Sequence, residues 1–139
     1  MAATDKSTAE VRAPQRARLP SEREAVTKTI RLRHATADGG TAELDCYVHV
    51  GLYPDGRPGE LFLRVDRAGS TVSGFADAVA IVVSLGLQYG VPLDAIVGKL
   101  RGMRFEPMGT TGDADHPFAG SLLDAVGTWL GQRFLARET

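Results

Sequence analysis

The chain has 139 residues, of which 43% are hydrophobic and 24% are charged. This composition predicts one globular domain with a core and excludes a fibrous or strongly disordered chain. The polar N-terminus has no apolar segment, so we expect no signal peptide. A single cysteine, Cys46, excludes an internal disulfide and any paired-cysteine metal or redox motif. Together these features predict a cytoplasmic protein.

The net charge of −1 hides an asymmetry along the chain. Residues 1–33 hold eight Lys or Arg and four Asp or Glu, whereas residues 34–139 hold eight basic and thirteen acidic residues. Residues 1–20 show no apolar period and are predicted to form an extended basic arm, followed by one domain at 21–139. Such an arm could bind nucleic acid, dock on a neighbouring subunit, or stay solvated. Alone it should be disordered, unless a partner holds it in place.

The first half of the domain alternates apolar and polar residues, which is typical of β-strands with one buried face. The alternation begins near Thr27 and is interrupted by two turn sequences, "ADGG" (Ala37–Gly40) and "YPDGRPG" (Tyr53–Gly59). Glycine and proline supply the backbone angles that tight turns need. The sequence therefore predicts a three-stranded antiparallel meander.

From Ser70 onward the apolar period becomes helical. The segment Val72–Tyr89 is apolar nearly all round, and Asp77 is its only charged residue. Its uninterrupted apolar part is shorter than the roughly twenty residues that a membrane span needs, so we expect a buried central helix. Gly90 suits a left-handed helix end, and Pro92 suits the start of the next helix.

Two further helices complete the prediction. A stripe at the i, i+3, i+4 and i+7 positions indicates a short helix from Leu93 to Leu100. After a loop, the last helix is expected to start near Pro117, with Asp115 as its N-cap. The fold class is thus α+β, with a three-stranded antiparallel meander sheet packed against three helices and preceded by the extended basic arm.

The turn "GSTVSG" is the strongest candidate for a ligand site, because the N-terminus of a helix attracts anions. The alternative is that a serine caps the helix and no ligand binds. In "MRFEP", an arginine and a glutamate would point the same way from an extended loop, as an ion pair or as a polar binding edge. The candidate residues for an anion or nucleotide are Gly69, Ser70, Thr71, Ser73, Gly74, Arg104 and Glu106.

Other reactive side chains point to no chemistry. His34, His49 and His116 are scattered and lack metal-ligand spacing, so no metal site is expected. Cys46 lies on the apolar face of a strand, where a thiol is structural.

Several blocks resemble one segment of bacterial adenosylcobalamin-dependent (class II) ribonucleotide reductases. They are "LPSERE", "HVGLYPDGRPGELFL", "GSTVSGFADAVAIVVSLGLQYGVPL", "MRFEP" and "HPFAGSLLDAVGTWLGQRFL". That segment is the TSCPD domain near the C-terminus of the long enzyme form. The resemblance covers about Leu19 to Leu135, with the blocks in the same order and at similar spacing.

The resemblance implies a role without catalysis in this chain. In the family, an upstream barrel carries the radical cysteine, its reducing cysteine pair, and the cobalamin and nucleotide sites; a cysteine-rich tail usually follows the domain. No catalytic residue carries over, so no activity is expected from this chain alone, and adenosylcobalamin would belong to a partner reductase chain. The implied function is an accessory or regulatory module that contacts a reductase chain or its own copies and binds a nucleotide. The alternative is a self-assembling structural or nucleic-acid-binding protein that uses the basic arm.

Overall fold

A five-stranded antiparallel sheet and three helices make up the computed structural model, which describes residues 14–66 and 70–135. The strands are β1 (Ala25–Ala35), β2 (Thr41–Leu52), β3 (Pro58–Val65), β4 (Gly109–Thr110) and β5 (Phe118–Ala119), in the spatial order β3-β2-β1-β4-β5. The helices are α1 (Thr71–Gln88), α2 (Leu93–Leu100) and α3 (Leu122–Phe134). The predicted α+β class is confirmed.

The predicted meander forms the first three strands. β1 and β2 pair without interruption from Ala25 opposite Gly51 to Ala35 opposite Thr41. Because side chains alternate between faces, one apolar set points at the helices and is at most 6% exposed: Ile30, Leu32, Leu44, Cys46, Val48, Val50, Leu61, Leu63 and Val65. Both turn predictions are confirmed, since each turn contains a glycine in the left-handed region, Gly39 at φ 88° and Gly56 at φ 89°.

The predicted count of three strands was wrong, because the loop between α2 and α3 contributes two more. β4 pairs with β1 where Thr110 lies opposite Arg33, and β5 pairs with β4. A Cβ atom on Gly109 would lie 1.9 Å from the carbonyl oxygen of Arg33, so glycine is what lets β4 approach β1. Two-residue strands are too short to show an alternating pattern, which explains why the sequence gives no sign of them.

Helix α1 begins and ends where predicted. The Ser70 hydroxyl accepts a hydrogen bond from the Ser73 N–H at 3.1 Å, as an N-cap does. At the other end Gly90, at φ 94°, donates to the Leu87 carbonyl, and Val91 donates to the Gly86 carbonyl at 2.9 Å. These two bonds form a Schellman motif, which satisfies the last carbonyls of the helix.

The prediction that α1 is buried all round was wrong. One face packs on β3 through Ala76, Ala80 and Val83, while Phe75 is 70% exposed and Val82 is 68% exposed. By length and composition alone α1 could cross a membrane, a test that core helices of soluble proteins also pass. The physical reason for the error is that the described residues form only two layers, so a helix on the sheet keeps an outer face.

The start of α3 also differs from the prediction. The helix begins at Leu122 and its N-cap is Ser121, whose hydroxyl accepts from the Asp124 N–H at 3.0 Å. Pro117 precedes β5, where strand pairing keeps the chain extended, so no helix can start there. Asp115 instead donates its N–H to an Asp113 carboxylate oxygen within a turn.

The described part of the N-terminal arm, from Pro14 onward, lies against the body of the same chain. Arg16 donates to the Gln88 side chain at 2.6 Å, and the Ala17 N–H donates to the Gln88 carbonyl at 2.8 Å. Further along, Arg23 forms two hydrogen bonds with the carboxylate of Glu60, a residue that is 7% exposed. These contacts hold residues 14–24 against the domain. The predicted arm at residues 1–13 lies outside the described residues.

Candidate functional site

Three of the predicted site residues line one cavity at the N-terminus of α1. Ser70, Thr71 and Glu106 share a cavity of about 660 Å³ with His34 and Thr36. β1 and the turn after it supply His34 and Thr36, while the loop after α2 supplies Glu106. The structure therefore brings together the two segments that the sequence singled out.

The other four predicted residues do not line this cavity. Ser73 lies in the first turn of α1, where its N–H is used by the cap, and Gly74 is exposed with open space around its Cα. Arg104 is exposed and packs near Gly120, and the ion pairs among the described residues include none between Arg104 and Glu106. Gly69 lies outside the described residues.

The chemistry of the cavity is that of a helix N-terminus with few charges. The positive end of the α1 dipole opens onto it, because Ser70, Thr71 and Val72 all line it. The Ser70 oxygen is already used as the cap, so the Thr71 hydroxyl is the group of this turn that both lines the cavity and is left for a ligand. The Glu106 carboxylate adds a negative charge, and no lysine or arginine lines the cavity within the part of the chain that the structure describes. This arrangement suits one small polar or singly charged group.

An apolar cavity lies directly beside the polar one. It measures about 390 Å³ and shares Thr71, Val72, Glu106 and Pro107 with its neighbour. Its remaining described lining residues are all apolar: Phe75, Ala76, Val79, Met103, Phe105, Leu122 and Leu123. A polar and an apolar compartment at one corner can hold an amphiphilic ligand or a side chain of a partner protein.

Sequence reasoning missed a buried carboxylate, Asp124. One of its oxygens accepts from the Gly102 N–H at 2.7 Å, and the other accepts from the Gly120 N–H at 2.9 Å and lies 3.3 Å from Nε2 of His116. Burial alone would raise the pKa of this carboxyl, but the two N–H groups and the nearby imidazole together lower it. The signal was present as Ser121 followed three residues later by Asp124, which is a capping pattern.

Asp124 acts as a clamp in this arrangement. Its two oxygens join the turn after α2 and the end of β5 to the first turn of α3. Since both oxygens already accept backbone N–H groups, the carboxylate is not free to act as a base. Burial of the Cys46 side chain raises the pKa of its thiol to about 12, which is consistent with the structural role predicted for it. Within residues 14–66 and 70–135, no three His, Cys, Asp or Glu side chains are grouped to hold a metal ion.

Comparison with known proteins places the whole domain in one family. The sequence profile of the TSCPD domain matches residues 15–134. The chain is 42% identical over 123 residues to a vitamin B12-dependent ribonucleotide reductase of Rhodopirellula baltica, and 42% identical over 126 residues to those of Streptantibioticus cattleyicolor and Streptomyces clavuligerus. These matches cover 88%, 91% and 91% of this chain but only 11%, 20% and 12% of the reductases.

No solved structure matches the chain. The profile covers nearly all of the described residues, and the similarity to the three reductases is confined to one segment of each. This agrees with the resemblance seen in the sequence. The chain belongs to the TSCPD domain family and is related to one segment of vitamin B12-dependent ribonucleotide reductases, of whose length it spans 11–20%.

Proposed function

We propose that this chain is an accessory module of vitamin B12-dependent ribonucleotide reduction, which acts in the cytoplasm by binding a reductase chain. The observation that carries this proposal is the match of about nine tenths of the chain, at 42% identity, to segments of such reductases. A single cysteine with a thiol pKa of about 12 gives no thiol pair for reductive chemistry. Adenosylcobalamin and the substrate site then belong to the partner chain, and this module contributes contacts.

The outer face of the sheet is the surface proposed for this contact. Arg31 and Asp45 form an ion pair across β1 and β2 at 2.8 Å, and Arg33 pairs with Glu43 at the same distance. Next to these two ion pairs, on the same face of β2, Tyr47 is 41% exposed. Tyrosine and arginine are enriched in protein interfaces, and tyrosine is enriched at the residues that contribute most binding energy.

The test uses a reductase from which the corresponding segment has been removed, such as that of Streptomyces clavuligerus. Calorimetry should show binding of the purified chain to this truncated reductase. Tyr47→Ala should weaken the binding by about tenfold or more, since the loss of a central interface tyrosine costs about 1–2 kcal/mol or more. Val82→Glu, which changes the opposite side of the domain, is the matched control. The proposal fails if the wild-type chain does not bind, or if the truncated enzyme binds both variants like wild type.

The cavity at the N-terminus of α1 is the proposed nucleotide site of the module. The dipole of α1 and the Thr71 hydroxyl support binding of one phosphate group, and the apolar compartment beside it can take a base. Because none of the described residues that line this cavity is a lysine or arginine, binding should be weak, with a Kd of about 1 mM.

Melting temperature and light scattering with and without ATP and dATP test this site. Thr71→Ala should abolish any nucleotide-dependent shift while it leaves the fold intact. Ser70→Ala is the folding control, because loss of the cap costs about 1 kcal/mol whether or not a ligand binds. A wild-type protein that does not respond to either nucleotide would remove the ligand site from the proposal and leave the docking function in place.

The nucleic-acid alternative loses support from the described part of the arm. Arg23 is paired with Glu60 and the Nε of Arg16 donates to Gln88, which leaves fewer guanidinium donors for a phosphate backbone. DNA binding that weakens steeply with salt and is lost on deletion of residues 1–20 would restore this alternative.

A further inference from the structure

Helix α1 carries a second apolar face that the described residues cover only in part, and Phe75 at its N-terminal end also lines the apolar cavity. Besides the inner face on the sheet, five residues follow one another along the outside at spacings of three, four, three and four. We call this row the α1 seam; its members are Phe75, Ala78, Val82, Leu85 and Tyr89. Their spacing is the a/d pattern of a coiled coil, in which a helix packs along another helix. Phe75 and Val82 are about two-thirds exposed, and Leu85 and Tyr89 are 38% and 44% exposed.

The α1 seam carries no charge. The only charged residue of α1 is Asp77, which lies beside the seam and not in it. An identical face can therefore meet the seam without like-charge repulsion, whereas a charged partner surface would find nothing to pair with. We propose that the α1 seam is a dimer interface occupied by α1 of a second copy of this chain.

The side-chain sizes favour an antiparallel dimer with its two-fold axis at Val82. In that pairing Val82 meets the Val82 of the second copy, Phe75 lies opposite Tyr89, and the small Ala78 lies opposite the larger Leu85. Every layer then combines side chains that fill the space between the helices. A parallel pairing would set Ala78 against Ala78 and leave a gap in that layer.

The exposed area suits a dimer of moderate strength. The seam and the neighbouring Ile81, which is 61% exposed, offer on the order of 600 Å² of apolar side chain per copy. Stable interfaces bury about 800 Å² per partner, so this dimer lies at the small end of the range and should have a Kd of the order of micromolar. A patch of this size is large for a monomer, where the largest apolar patch covers about 300–600 Å² and is often functional.

The first test is the mass of the isolated chain as a function of concentration. Sedimentation of the full-length wild type should show a monomer–dimer equilibrium, and Val82→Glu should raise the Kd at least tenfold, because it places two like charges on the axis. Val82 is exposed, and glutamate is a better helix former than valine, so the variant should keep its fold. Tyr47→Ala on the outer sheet face is the matched control and should dimerise like wild type.

Cross-linking distinguishes the two orientations. Val82→Cys should form a disulfide-linked dimer under mild oxidation, because a two-fold axis at this residue brings the two thiols within bonding distance. Phe75→Cys and Tyr89→Cys should not cross-link singly, but the double variant should. A cross-link with Phe75→Cys alone would overturn the antiparallel arrangement. The native Cys46 does not interfere, since it is fully buried.

The outcomes separate this inference from the reductase-binding proposal. A wild-type chain that stays monomeric at about 100 µM overturns the dimer while it leaves reductase binding intact. Loss of reductase binding in Val82→Glu but not in Tyr47→Ala would assign the seam to the reductase and overturn the dimer. Co-sedimentation of the monomer with vesicles, abolished by Val82→Glu, would assign it to a membrane surface and would likewise overturn the dimer.

Discussion

Replacement of Asp124 by asparagine tests the clamp that joins α2, β5 and α3. In the native chain each carboxylate oxygen accepts a backbone N–H, from Gly102 at 2.7 Å and from Gly120 at 2.9 Å. Asparagine has one acceptor oxygen, so it can keep only one of these bonds. Its NH₂ group then faces the other N–H, and two donors cannot bond to each other.

The expected cost follows from those contacts. A buried N–H without an acceptor costs about 1–3 kcal/mol, and the remaining bond loses its charge assistance. We therefore expect Asp124→Asn to lower the free energy of unfolding by about 3 kcal/mol at pH 7. For a domain of this size, that corresponds to a fall in Tm of roughly 10 °C.

Urea unfolding at pH 7 and pH 3 is the assay. The pKa of Asp124 is lowered in the folded state, so its contribution to stability is present above the ordinary carboxyl value of about 4 and is lost as pH falls through the folded pKa. The difference between wild type and variant should thus shrink at pH 3. Asp77→Asn, an exposed carboxylate on α1, is the control and should change stability by less than about 0.5 kcal/mol. A similarly small effect for Asp124→Asn at pH 7 would refute the clamp.

Three further predictions test the packing of the core. Cys46 should resist alkylation at pH 8 in the native protein and react once urea unfolds it, since the thiol pKa is about 12; rapid native labelling would show that the strand opens. Ser84→Ala should lower the free energy of unfolding in urea by about 1–2 kcal/mol, because the Ser84 hydroxyl accepts from the N–H of Leu61 and donates to its carbonyl at the edge of the sheet. An unchanged urea midpoint would mean that water replaces the hydroxyl. Gly127→Ala should lower Tm, since its Cβ would lie 2.7 Å from the Leu100 Cβ and overpacking costs about 1–3 kcal/mol; a raised Tm would show that α2 can move away.

The sequence predicts best where a local backbone requirement decides the structure. Gly39, Gly56 and Gly90 all adopt left-handed angles, and each marks a turn or helix end where it was expected. A left-handed backbone angle is required by only a few neighbouring residues, so the local sequence is enough to reveal it. The N-cap at Ser70 belongs to the same class.

The sequence predicts poorly where distant pairing decides between two local options. Asp115 and Ser121 are both good N-caps, and only the pairing of β5 with β4 selects the second. For the same reason Arg104 and Glu106 were expected on one side of an extended loop. The chain bends at Glu106, so only the glutamate reaches the cavity, and the arginine does not. The choice of Ser121 as the N-cap and the position of Glu106 in the cavity do not depend on the secondary-structure propensities of these residues.

Helix α1 shows a third case. Its sequence is apolar nearly all round, as predicted, but the helix is not buried on all sides within the described residues. A helix that is apolar all round needs apolar neighbours on all sides, and a single two-layer domain supplies them on one side only. The inner row of Ala76, Ala80 and Val83 meets the sheet, so the α1 seam requires a third layer. Since the described residues provide none, that layer comes either from residues outside 14–66 and 70–135 or from another molecule. In the reductases, where the matched segment makes up 11–20% of the protein, further chain is available for this purpose; in the dimer proposed above, a second copy supplies the layer.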